Sequence, residues 1–121
     1  MKLAIVGSRD FYDYFWMERC LLEHFPLDDI ETIITGGARG ADALAERFAR
    51  EHGLPLRVFP ADWKTHGLKA GPLRNTEIVR HADAVAAFWD GASRGTGDTV
   101  GKARAAGRYV AVFPLTPLES S

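Results

Sequence analysis

Five short runs of β-branched and aliphatic residues recur along this chain, and the stretches between them carry a helical period. Few architectures accommodate that alternation. Lys2 to Val6, Thr32 to Thr35, Leu56 to Phe59, Ala84 to Phe88 and Tyr109 to Phe113 read as strands, each short and bounded by Gly, Pro or polar residues. Met17, Cys20, Leu21, His24 and Phe25 share one helical face, closed by Pro26. Ala41, Leu44, Ala45, Phe48 and Ala49 share another, with Gly53 as its C-cap. Further helices are expected from Pro72 to about Ala82 and from about Thr96 to Ala106. Residues 60–71 show no apolar period and read as a long loop. Strands alternating with helices argue for a parallel sheet covered on both faces. The expected fold class is therefore α/β, a three-layer Rossmann-like doubly wound sheet of five strands, with the order 3-2-1-4-5 by fold analogy. The 121 residues are one domain in size, and residues 114–121, with two prolines and two terminal serines, are expected to fray.

Composition narrows the function classes. The formal charge of −1 gives the whole molecule no bias toward nucleic acid or membrane, although a local patch is compatible with it. The lone cysteine, Cys20, excludes an intramolecular disulfide and fits a reducing compartment. The opening apolar run is too short for a signal peptide, and no stretch reaches the length of a membrane span. A cytoplasmic protein without membrane contact is expected. His24, His52 and His81 have no metal-ligand spacing, so neither a metal nor a cofactor is assigned, and His66 is the sole loop histidine.

In open α/β sheets ligands bind beyond the carboxyl ends of the strands. The unusual residues fall there. Gly7, Ser8 and Arg9 follow the first strand, and Gly36, Gly37, Ala38 and Arg39 the second. Asp62 and Trp63, then Lys69, Gly71, Arg74 and Asn75, follow the third. Asp90, Ser93, Arg94, Gly95 and Thr96 follow the fourth. Glycine lets backbone N–H groups approach a ligand, a helix N-terminus attracts anions, and arginine pairs with phosphate through a planar fork. In the expected strand order, Arg9 and Arg94 face a shared crevice. Arg9, Arg39, Arg74 and Arg94 are the candidates for phosphate charge, and Gly7, Ser8, Gly36, Gly37, Gly71, Gly95 and Thr96 for backbone or hydroxyl donors. Asn75 and Asp62 would orient a sugar or base, with Trp63 as a stacking platform.

Each residue also has a plainer role. Gly36-Gly37 alone is ordinary turn chemistry, and neither a Walker A motif nor a Gly-x-Gly-x-x-Gly fingerprint is present, which argues against a P-loop enzyme or a dehydrogenase. Asp42, in the first turn of its helix, complements the helix dipole or contacts ligand. Asp62 and Asp90 are candidate general bases, or they hold their loops by bonding backbone N–H groups. Trp63 stacks on a base or plugs the sheet edge. Trp89 and Cys20 read as core.

The segments Gly7-Ser8-Arg9, Gly36-Gly37-Ala38-Arg39-Gly40-Ala41-Asp42, Pro60-Ala61-Asp62-Trp63, Ala70-Gly71-Pro72-Leu73-Arg74-Asn75 and Ser93-Arg94-Gly95-Thr96, in this order, resemble the SLOG superfamily, and within it the small YspA-like proteins. The resemblance implies a Rossmann-like fold with a nucleotide-type ligand at the strand ends, and, as in many members, a homodimer. Its relatives include LOG phosphoribohydrolases, the single-stranded-DNA binder DprA, and sensor domains tied to nucleotide signals. LOG hydrolases carry Pro-Gly-Gly-x-Gly-Thr-x-x-Glu; setting its Gly-Thr on Gly95-Thr96 puts Thr99 where the catalytic glutamate belongs. The leading expectation is a binder or sensor of a nucleotide-type small molecule. A nucleotide hydrolase using Asp62 or Asp90 is second. A single-stranded nucleic-acid binder is third, disfavoured by the near-neutral charge.

Overall fold

A computed structural model describes residues 1–117. Its elements are β1 (Lys2–Gly7), α1 (Tyr14–His24), β2 (Thr32–Thr35), α2 (Ala41–Glu51), β3 (Leu56–Val58), α3 (Trp63–His66), α4 (Ala70–His81), β4 (Ala84–Phe88), α5 (Arg94–Ala105) and β5 (Tyr109–Phe113). The five strands form one parallel sheet in the order β3-β2-β1-β4-β5. Leu3 lies opposite both Ile33 and Ala84, so β1 is central and the strand order reverses beside it. The expected order and class are those observed.

Two apolar cores cover the two faces. Leu3, Ile5, Ile33, Ala86 and Phe88 point toward α1 and α2, meeting Met17, Leu21, Ala45 and Phe48. Ala4, Val6, Ile34, Val85 and Ala87 point the other way, meeting Ile78, Val79, Val100 and Ala103 of α4 and α5. The alternation is the period of a strand buried on both sides. Cys20 is buried in the first core, and burial pushes its thiol up to about 11, as an inert core cysteine requires. Trp89 packs against the second core but is half-buried, and its indole N–H donates to the Ser93 carbonyl at 3.0 Å.

Three boundaries differ from expectation. Residues 60–71 are not a loop: α3 is followed by a 3-10 turn, Gly67–Lys69, and α4 already starts at Ala70. The cause is capping rather than apolar period, since the Asp62 carboxylate accepts the Thr65 N–H at 3.2 Å. Helix α5 also starts early, at Arg94, with Ser93 as N-cap. Finally, the chain after β5 is anchored at its start: the Trp16 indole donates to the Pro114 carbonyl at 2.8 Å, and Leu115 packs on the first core. Residues 118–121 of the expected frayed tail lie outside the described residues.

Candidate functional site

The loops after β1, β2 and β4 and the N-terminal half of α4 converge at the carboxyl edge of the sheet. They converge because three glycines permit it. Gly7 lets the start of α2 close on β1: a Cβ there would sit 2.4 Å from the Phe88 carbonyl and 2.8 Å from the Ala41 methyl. Gly40 takes φ +73°, and its Cβ would lie 2.4 Å from the Arg9 carbonyl oxygen. The Ala41 N–H can then donate to the Ser8 carbonyl at 3.0 Å, tying α2 to the loop after β1. Gly36 leaves a notch through which Arg74 passes, with a Cβ there only 2.3 Å from its guanidinium nitrogen.

The result is a cleft in two lobes. The first, about 340 Å³, is walled by Ser8, Arg9, Asp10, Arg39, Asp42, Arg74 and Asn75 and by the start of α5 with Ser93, Gly95, Thr96 and Thr99. The second, about 390 Å³, lies between Gly36, Gly37, Pro60, Ala61 and Trp63. Arg9, Arg39 and Arg74 wall both lobes. Arg9 and Arg39 are exposed, and among the described residues Arg39 has a single ion pair, with Asp10 at 3.8 Å. Such an exposed pair holds little energy and leaves the side chain free to move.

Arg74 is different. It is half-buried, donates through Nη1 to the Gly36 carbonyl at 2.7 Å and through Nε to Asn75 Oδ1 at 2.9 Å. Burial, opposed by the neighbouring Asp42, lowers its pKa from the usual arginine range. Asp42 is buried, and burial raises its carboxyl above the ordinary aspartate value, against the pull of the Ala38 N–H and of Arg74. Its Oδ2 accepts the Ala38 N–H at 3.1 Å. Asp42 thus staples the loop after β2 and faces a fixed cation, a role beyond that of a dipole partner.

The other sequence-singled residues divide. Ser8, Ser93, Gly95 and Thr96 wall the first lobe, Gly37 and Trp63 the second. Gly71 backs Trp63, with a Cβ there 3.4 Å from its ring. Arg94 is exposed at the first position of α5 and walls neither lobe, so the expected pairing of Arg9 with Arg94 across the crevice is not seen. Lys69 is also exposed and walls neither lobe. Asn75 sits in the first lobe, yet its amide is engaged by protein partners.

Of the two candidate bases, Asp62 walls neither lobe and caps α3. Asp90 walls the first lobe, but one oxygen accepts the N–H groups of both Ala92 and Ser93, at 2.8 and 2.9 Å. Hydrogen bonds hold both carboxyls below the usual aspartate value, Thr65 for Asp62, Ser93 and then Ala92 for Asp90. A lowered pKa makes a poor proton acceptor at neutral pH. Thr99 is buried in the first lobe, and its hydroxyl donates to the Gly95 carbonyl at 3.4 Å.

The Asp90 cap has a measurable consequence. Its folded pKa lies below the unfolded value of about 3.9, so its contribution to stability is present above that pH and is lost as pH falls through the folded value. Asp90→Asn is expected to lower the melting temperature slightly at neutral pH and to flatten its acid limb between about pH 5 and 2, so that the two proteins converge in acid. A Tm–pH series on both proteins checks it, and an unchanged acid limb would refute the assignment.

With this geometry in hand, comparison with known proteins places the chain. The chain belongs to the YspA, cpYpsA-related SLOG family, whose model matches residues 1–66. It is 37% identical over 128 residues to the Gene 61 protein of Mycobacterium phage D29, a match covering 96% of this chain and 98% of that one. Among solved structures it is similar to DNA processing protein A (DprA) of Streptococcus pneumoniae, with a TM-score of 0.75 at 20% identity over 92% of this chain. It spans about half of that protein, covering 49% of it. It is also similar to TM1055, with a TM-score of 0.65 at 21% identity over 90% of this chain and 71% of that one. DprA of Helicobacter pylori, described with a single-stranded DNA binding mode, gives 0.62 at 17% over 93% of this chain and 64% of that one. At these identities the structures establish a shared fold. Among the described residues no helix is long and apolar enough to cross a membrane.

Proposed function

We infer that the two-lobed cleft binds a nucleotide-type small molecule, with phosphate held among Arg9, Arg39, Arg74 and the N-terminal turn of α5, and with the nucleoside against Trp63. The observation that carries this reading is the convergence of three arginines on the wall shared by both lobes. Three cations beside a helix N-terminus favour an anion, and the half-exposed Trp63 ring offers a stacking surface next to it. Binding is favoured over hydrolysis because Asp62 and Asp90 are used as caps and Thr99 stands in the LOG glutamate position.

The test is a thermal-shift screen against nucleoside monophosphates, cyclic nucleotides, NAD and ADP-ribose, with mass spectrometry on each mixture. A ligand present at ten times its Kd stabilises the native state by about 1.4 kcal/mol, or about 5 °C for a chain of this size. AMP raising Tm while adenosine does not, with AMP recovered intact, is the expected result. No shift from any phosphorylated compound would sink the reading, and a new mass would replace it by the hydrolase.

A second reading has its own observation. Trp63 walls the second lobe, and the same short segment carries Leu68, almost wholly exposed, with Lys64 and Lys69, both exposed. An exposed aromatic among cations is the surface that single-stranded nucleic acid stacks on, and DprA of H. pylori is described as binding single-stranded DNA. Affinity for an oligonucleotide that grows with its length and falls steeply with salt would favour this reading over the small molecule.

A further inference from the structure

Asn75 was expected to touch ligand, but its amide is already committed. Oδ1 accepts the Arg74 Nε–H at 2.9 Å, while Nδ2 donates to the Gly95 carbonyl at 3.3 Å and to Asp98 Oδ2 at 3.1 Å. Both amide protons are therefore used. The partners also fix which way the amide faces. A flip would set its NH₂ against the Arg74 N–H and its oxygen against two oxygens. Asp98 is held in turn by Lys102, whose ammonium donates to it at 2.8 Å and to the Pro72 carbonyl at 2.7 Å. Asn75 is buried, so water cannot replace these bonds without opening the contact between α4 and α5.

The consequence concerns spacing. Arg74 reaches the cleft from α4, whereas Gly95 and Thr96, in the first turn of α5, wall it from α5. Nothing on Arg74 itself sets the distance between them, because an arginine side chain has freely rotating torsions. The Asn75 amide touches both, taking the Arg74 Nε–H on one side and the Gly95 carbonyl on the other. Two of the five Arg74 N–H groups are engaged by Asn75 and Gly36, which leaves three without a protein partner among the described residues.

We propose that Asn75 is a positioning residue that locks the Arg74 guanidinium to the first turn of α5, so that cation and helix terminus act on one phosphate group as a rigid unit. The proposal rests on the anion-binding reading of the cleft and adds to it the residue that preorganises the site. A preorganised cradle avoids ordering cost at binding.

The experiment exchanges the two ends of the Asn75–Asp98 bond and reads affinity for AMP by calorimetry, with circular-dichroism melts to verify folding. Asn75→Asp sets two carboxylates against each other and is expected to weaken AMP binding by about tenfold or more. Adding Asp98→Asn restores a donor–acceptor pair at that contact, though not the bond to the Gly95 carbonyl, and should recover about threefold or more of the lost affinity. A role in stability alone would not recover affinity in this way. A ligand-free readout accompanies it: in nitrogen-15 spectra one arginine Nε–H, identified by its loss in Arg74→Ala, should be protected from exchange and become exposed in Asn75→Ala.

Unchanged AMP affinity in Asn75→Ala, when Arg74→Ala does weaken binding, would overturn the positioning role while leaving the anion site standing. So would an Asp98→Asn substitution that fails to rescue the folded Asn75→Asp protein. If the unmodified protein binds neither AMP nor inorganic pyrophosphate, the anion reading falls and the positioning role falls with it.

Discussion

Arg74→Ala is expected to weaken AMP binding by about a hundredfold, because it removes the fixed cation of the proposed anion site. It should also destabilise the protein by about 3 kcal/mol, since the Gly36 carbonyl and the Asn75 amide lose a charged donor and the buried Asp42 loses its facing cation. For 121 residues that is about 10 °C in Tm. Arg74→Lys should rescue little, because Arg74 meets Asn75 through Nε and Gly36 through Nη1, two donors held apart on one rigid plane, whereas a lysine carries all its donors on one terminal nitrogen and none at the Nε position. The pH dependence carries a sign. Without Arg74, the Asp42 carboxyl, already raised by burial, rises further. A raised folded pKa gives stability that is complete below the unfolded value, about 3.9, and is lost as pH rises through the folded one. The deficit of Arg74→Ala should therefore widen as pH rises past the already raised Asp42 value of the intact protein, and adding Asp42→Asn should recover part of it. Melts of the single and double variants across pH test this. A pH-independent deficit would mean that Asp42 and Arg74 are not coupled.

Gly40→Ala is expected to cost about 4 kcal/mol. Two penalties coincide. The φ of +73° with ψ of −124° is a backbone conformation for which a side chain pays in strain, and the Cβ would lie within 2.5 Å of the carbonyl groups of Ser8 and Arg9. Backbone cannot swing aside as a side-chain tip does. Ser8 also receives the Ala41 N–H, so the clash pushes α2 away from β1 and opens the first lobe. Gly95→Ala is the control. A Cβ at Gly95 meets nothing within 4 Å, and alanine is the better helix former by about 0.5–1 kcal/mol. Denaturant melts on the two proteins should move in opposite directions. A Gly40→Ala protein as stable as its parent would show that this turn does not adopt the conformation described.

The strands and the longer helices could be anticipated because short, largely apolar runs alternate with apolar stripes, whereas the strand order rested on fold analogy and on no local signal. The segment after β3 broke that pattern. Asp62-Trp63-Lys64-Thr65-His66 has no apolar stripe and is helical because Asp62 caps it; an aspartate three positions before Thr65 was the available signal. Arg94 misled for a related reason. Proximity to the strand end suggested the crevice, but the first position of α5 faces solvent, and direction around a helix depends on where the helix begins. What no local pattern carries is the passage of Arg74 over Gly36, since the two residues meet only after the sheet has assembled. The burial of Asp42 belongs to the same event. Gly36 looked like turn chemistry because its reason for lacking a side chain lies in a distant helix.

The reversal of strand order beside β1 also sets when the cleft can exist. During synthesis, α1 and α2 can settle on β1, β2 and β3 while the rest of the chain is still unmade, giving one covered face and one bare one. Arg9 and Arg39 are then already in place, but Arg74 and the α5 turn are not. Only when β4 docks on the open edge of β1, bringing Ala84 opposite Leu3, do the halves of the site meet. Under the proposed function, a nucleotide would be no template for the nascent half-domain and would only seal the completed one, and a ribosome-bound chain would gain ligand protection against protease no earlier than the emergence of Thr99.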